Sequence, residues 1–117
     1  MTSSPNFKSE DQLHAACYTW FHNEYPDLRG QMWHTPNGGG RSIVDAVKFK
    51  GLGVRAGVHD ILFLYNGILY GIEFKYGKNK VSPEQVMFGK MLEANGGKWW
   101  EVRDFETFRE IIKTIIK

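Results

Sequence analysis

Residues Gly57–Lys75, GVHDILFLYNGILYGIEFK, hold two apolar runs on either side of Asn66-Gly67. That dipeptide specifies a two-residue hairpin turn, because both central positions need positive φ. With Asn66 and Gly67 as the loop, Tyr65 pairs with Ile68. Leu64 then faces Leu69, Phe63 faces Tyr70, Leu62 faces Gly71, Ile61 faces Ile72 and Asp60 faces Glu73. Side chains alternate along a strand. Ile61, Phe63, Tyr65, Tyr70, Ile72 and Phe74 therefore share one face, and Leu62, Leu64 and Leu69 the other. A ribbon that is apolar on both faces needs cover on both sides. Its charged end is the anomaly, since two carboxylates directly opposite each other repel.

The flanking sequence supplies the cover. Ser9 opens a helix, with Gln12 three residues on as a capping-box partner. Leu13, Ala16, Cys17, Trp20 and Phe21 follow helical spacing, and Pro26 stops the helix near Glu24. QMWHT (31–35) reads as a short strand, PNGGGR (36–41) as a loop, and SIVDAVKFK (42–50) as a helix with Ile43, Val44 and Val47 on one side. After the hairpin comes a polar loop. Ser82 then caps a helix with Pro83 at its first position and Gln85 as the capping-box residue; NGG (95–97) ends it. KWWEV (98–102) is a strand, and Asp104 caps a last helix bearing Phe105, Phe108, Ile111, Ile112 and Ile115 on one face. The order α-β-α-β-β-α-β-α predicts a three-layer α/β sandwich, a mixed sheet covered by four helices. Residues 1–8 read as a flexible lead and 9–117 as a single domain.

The bulk properties agree. The chain has 117 residues with 42% apolar content, enough for one core. The net charge is only +2, but basic residues cluster on both sides of the hairpin: Arg41, Lys48, Lys50 and Arg55 before it, and Lys75, Lys78 and Lys80 after its acids. The single cysteine, Cys17, excludes an intrachain disulfide and suits a reducing compartment. No segment approaches the roughly 18 consecutive apolar residues of a membrane span, and the first residues lack the apolar core of a signal peptide. The expectation is a cytoplasmic protein with no membrane association.

Alternation also places Lys75 on the face of Glu73, with Asp60 opposite. The Cβ atoms of the acid pair are then about 5 Å apart, close enough to share one divalent cation. Oxygen ligands with room for water and phosphate suit Mg²⁺ or Mn²⁺. An ammonium beside such an ion makes a phosphodiester hydrolysis site. The plain structural alternative is a solvated sheet edge at which Lys75 bridges the acids. Three histidines, His14, His22 and His34, lack ligand spacing with the cysteine, which argues against zinc, and no motif for an organic cofactor is present. Arg41 with the backbone of Asn37, Gly38 and Gly39 could take a phosphate. Lys48, Lys50, Arg55, Lys78 and Lys80 could track a nucleic-acid backbone, or be solvated surface.

The stretch GVRAGVHDILFL…YGIEFKYGKNKVSPEQ, with the upstream PNGGGRS…KFKGLGVRAG, resembles the VRR-NUC branch of the PD-(D/E)XK nucleases, particularly its short stand-alone members from phages and bacteria. The resemblance runs from about Trp33 to Gln85, and more loosely from Glu10. It implies a restriction-endonuclease-like fold and metal-dependent cleavage of DNA. Asp60 matches the family's metal-binding aspartate, Glu73 its second ligand and Lys75 its lysine, with the Phe74 backbone carbonyl available to the same ion. Gln85 matches a glutamine near the active site, where the alternative is its capping role. Glu10 resembles a first-helix glutamate that helps bind metal, where the alternative is a first-turn acid favoured by the helix dipole. One departure stands out: His59 occupies the position before the aspartate, where the family usually carries proline. The resemblance further implies branched DNA, such as four-way junctions, cut by a homodimer. The rival readings are a catalytically silent nuclease-like module that only binds nucleic acid, and a subunit of a larger replication or defence assembly.

Overall fold

The computed structural model describes residues 7–36 and 43–117. Its elements follow the expected order: α1 Glu10–Glu24, β1 Met32–His34, α2 Ile43–Gly51, β2 Ile61–Tyr65, β3 Ile68–Phe74, α3 Pro83–Ala94, β4 Lys98–Val102 and α4 Phe105–Ile116. A single 3-10 turn, Pro26–Leu28, follows α1. The helix starts are capped as their chemistry demands. Ser9 and Asp104 accept from the backbone N–H three residues on, and Ser82 with Gln85 forms a reciprocal capping box.

The four strands form one mixed sheet in the order β1-β2-β3-β4. The first three run antiparallel and β4 joins β3 in parallel. The hairpin register is the one set by Asn66-Gly67, from Tyr65↔Ile68 to Ile61↔Ile72. Both turn residues have positive φ, 51° and 78°, as the favoured two-residue turn requires.

Helices cover both faces, giving three layers. On one face, Ile61, Phe63, Ile72 and Phe74 pack with Leu13, Cys17 and Phe21 of α1 and Phe108, Ile111 and Ile112 of α4. On the other, Leu62 packs with Phe88 and Leu92 of α3. Among the described residues neither buried cluster includes a side chain of α2, and Val47, with Leu52 and Val54 just beyond the helix, is exposed. Among the described residues the cover comes from α1, α4 and α3. The tryptophans divide between the faces: Trp99 lies against the α3 cluster and Trp100 stacks on Tyr70 in the other. No described helix is long and apolar enough to cross a membrane.

Candidate active site

The charged end of the hairpin lies on the α3 side of the sheet. Asp60 sits one residue before β2, and its backbone carbonyl is held twice: Thr35 N–H donates to it at 2.9 Å and His34 Nδ1–H at 2.7 Å. The two acids are then stitched across the rung. Asp60 N–H donates to Glu73 Oε1 at 3.2 Å, and Phe74 N–H donates to Asp60 Oδ2 at 2.8 Å. Each carboxylate is thus fixed by the opposite strand's backbone, so both remain side by side despite their charge. Parallel pairing carries on past β3, where Lys75 N–H donates to Val102 O at 3.0 Å. That bond fixes the backbone from which the Lys75 ammonium reaches Glu73 Oε2 at 3.3 Å. Gln85, in the first turn of α3, donates from Nε2 to the same oxygen at 3.0 Å. Its own Oε1 accepts from Ser82 N–H at 2.8 Å, so the capping role and the contact with Glu73 hold together in one side chain.

The electrostatics are unbalanced. Glu73 is only 3% exposed. Burial, then the Asp60 charge, pushes its carboxyl up to about 8 from an ordinary value of 4.5, with Lys75 opposing the shift. One ammonium faces two acids. Hard oxygen donors held together, with charge that the protein leaves uncompensated, fit a divalent cation of the Mg²⁺ or Mn²⁺ type. Asp60 and Glu73 supply the side-chain donors. Glu10 does not complete a third: among the described residues no three His, Cys, Asp or Glu side chains group as metal ligands. Its Oε1 is buried without a hydrogen-bond partner.

His59 does not face outward. It is fully buried against Phe88 and Trp99, with ring centroids 4.9 Å apart in each case. Its Nε2–H donates to Gln85 O at 2.8 Å, and burial lowers its pKa. Two glycines make room. A Cβ at Gly71 would lie 2.2 Å from His59 Nδ1, and one at Gly57 (φ +83°) would lie 2.4 Å from the Glu84 backbone. The first turn of α3 can therefore seat directly on the strand carrying Asp60.

The other expected residues lie further out. Arg55 is exposed but places its guanidinium 5.3 Å from the centre of the Phe88 ring, on the α3 side. Lys48 and Lys50 project from the last turn of α2, and Lys78 and Lys80 from the loop after β3; all four are exposed. Asn37, Gly38, Gly39 and Arg41 lie outside the described residues. Arg103 has no counterpart among the residues expected from sequence. It donates from Nη1 to Gly77 O at 3.0 Å and from Nη2 to Asn79 O, and so ties the Lys78–Lys80 loop to the end of β4. No spacing signals a contact across 24–26 residues. His14 and His34 also pair edge to face at 4.5 Å, and His14 lies over Phe74 at 4.9 Å, behind the acids on the α1 side.

Neither a scan of protein-family models nor a search of curated proteins finds a match. Among solved structures, a VRR_NUC domain protein superposes with a TM-score of 0.77 at 22% identity, covering 96% of this chain and 91% of that one. The chain has the fold of that domain.

Proposed function

We propose that the chain is a Mg²⁺- or Mn²⁺-dependent endonuclease of the VRR-NUC type that hydrolyses phosphodiester bonds in DNA. One observation carries the reading: an acid pair, buried Glu73 and half-buried Asp60, held on one hairpin rung with Lys75 3.3 Å from Glu73, in a fold shared with a VRR_NUC domain protein. Asp60, Glu73 and the Phe74 carbonyl would hold the ion. When bound, it supplies Lewis-acid polarisation of the phosphate and acidifies a water.

The remaining work belongs to the chain. Backbone amides on both strands hold the two carboxylates side by side, so the oxygen donors need little reorganisation. The Gln85 amide and the Lys75 ammonium both donate to one Glu73 oxygen. Were an ion held there, the Lys75 ammonium would be placed to donate to a non-bridging phosphate oxygen or to orient the attacking water. Arg55, Lys78 and Lys80 supply positive charge for the flanking backbone, with the second loop braced by Arg103. Branched DNA is the substrate class in this reading. A two-fold dimer would deliver the paired cuts that a symmetric junction needs.

Incubation of the purified chain with labelled linear duplex, flap, splayed-arm and four-way junction DNAs, with Mg²⁺ and with EDTA, tests the proposal. The expected result is metal-dependent cleavage, strongest on branched substrates. Absence of cleavage from every substrate in Mg²⁺ and in Mn²⁺ would overturn it.

A further inference from the structure

We infer that His59 is a positioning residue: it docks the first turn of α3 through the Gln85 carbonyl so that the Gln85 amide holds Glu73. The inference rests on the nuclease reading for its functional consequence, but its geometry stands alone. Asp60 follows His59 directly in the chain. The residue next to one acid is therefore bonded to the residue whose side chain grips the other. A carbonyl only accepts, so His59 Nε2 carries the proton. Its Nδ1 is buried without a partner against Gly71. A buried nitrogen left unpaired costs stability, which a hydrocarbon ring of similar size would not, so packing alone does not account for a histidine here. What histidine adds is the Nε2–H.

Two close approaches make the docking specific. Gly71 leaves the space that the ring occupies, and Gly57 lets the Glu84 backbone come within a distance that any side chain would block. Residues 57, 59 and 71 thus form a seat for α3 at the point where Gln85 turns toward Glu73. A proline at position 59 would shape the chain but offer no donor to the helix.

The test compares wild type with His59→Phe, which keeps a ring between Phe88 and Trp99, and His59→Gln, whose amide N–H can reach the same carbonyl. Three properties are read: Mn²⁺ affinity by calorimetry, the Gln85 side-chain amide by ¹⁵N NMR, and kcat against KM on DNA. In His59→Phe the Gln85 amide signals should move and lose protection from exchange. Mn²⁺ affinity should fall about tenfold, the lower end for loss of a partner that orients a ligand. The kcat should fall by a similar factor with KM unchanged, and His59→Gln should recover most of each loss. An unmoved Gln85 amide with wild-type Mn²⁺ affinity in folded His59→Phe would overturn the inference, as would a folded His59→Gln that recovers nothing. Should His59→Phe not fold, wild type decides: a slowly exchanging Nε2–H on His59 supports the docking, and the Nδ1–H form refutes it. A wild-type chain that binds no Mn²⁺ and cleaves nothing defeats the nuclease reading, while the Gln85 signals still report on His59.

Discussion

On the sheet face covered by α1 and α4, Phe21, Phe63, Phe74 and Phe108 are almost wholly buried among Leu13, Ile61, Ile72 and Ile112. On the face covered by α3, Leu62, Phe88 and Leu92 form the buried apolar cluster among the described residues, and a histidine and a glutamate are buried alongside them. The same β2 and β3 residues alternate between the two environments. The first face does the stabilising that the second cannot: each fully buried large apolar side chain contributes roughly 1.5–3 kcal/mol. The second face spends stability on an acid pair that lacks enough positive charge. The difference shows how a small sheet holds a strained charge cluster rigid, by attaching it to strands whose other side is a dense core.

That contrast can be broken from either side. The largest effect is expected on the scaffold face. Phe108→Ala should cost about 3–5 kcal/mol, read as a loss of midpoint in denaturant unfolding, with metal binding reduced only because the fold is. Lys75→Ala should do the reverse. Cleavage should fall roughly 10²–10³-fold, the scale for removing one group that stabilises developing charge, far more than the modest drop in thermal midpoint expected when buried Glu73 loses its ammonium partner can explain.

Asp60→Asn sharpens the comparison further. It keeps an oxygen to accept from Phe74 N–H and removes the charge that helps push Glu73 upward. In EDTA the variant should be stabilised by ~1 kcal/mol, a rise in thermal midpoint of about 4 °C for a chain of this size, and cleavage should vanish. A drop in midpoint would mean that the acid pair is not a source of strain.

The smallest effect is on Cys17, in the scaffold face. Burial, then the Asp104 charge, pushes its thiol up to about 12 from an ordinary value of 9.0. The folded chain therefore keeps a proton that the unfolded chain releases. The neutral thiol's contribution is full below pH 9 and is lost as pH rises toward 12. The stability of wild type relative to Cys17→Ala should decline across that range, and a thiol reagent at pH 8 should react only on unfolding.

Most of the architecture was legible because local signals agreed. Asn66-Gly67 set the hairpin register, and Ser9, Ser82 and Asp104 marked three helix starts with capping geometry that the fold uses. Meeting of Asp60 and Glu73 followed from that register by counting alone. What sequence did not reveal was non-local. Gly57 reads as a break in the chain and Gly71 as a strand position opposite Leu62, yet each is required by a neighbour distant in sequence: the Glu84 backbone and the His59 ring. The histidine pair behind Asp60 and the Arg103 clamp are of the same kind.

Anomalous diffraction from crystals grown with Mn²⁺ tests the central claim most directly. The expected result is one strong peak bound by the Asp60 and Glu73 carboxylates, absent in Glu73→Ala. A peak elsewhere on the chain, or none between these carboxylates at saturating Mn²⁺, would contradict the account.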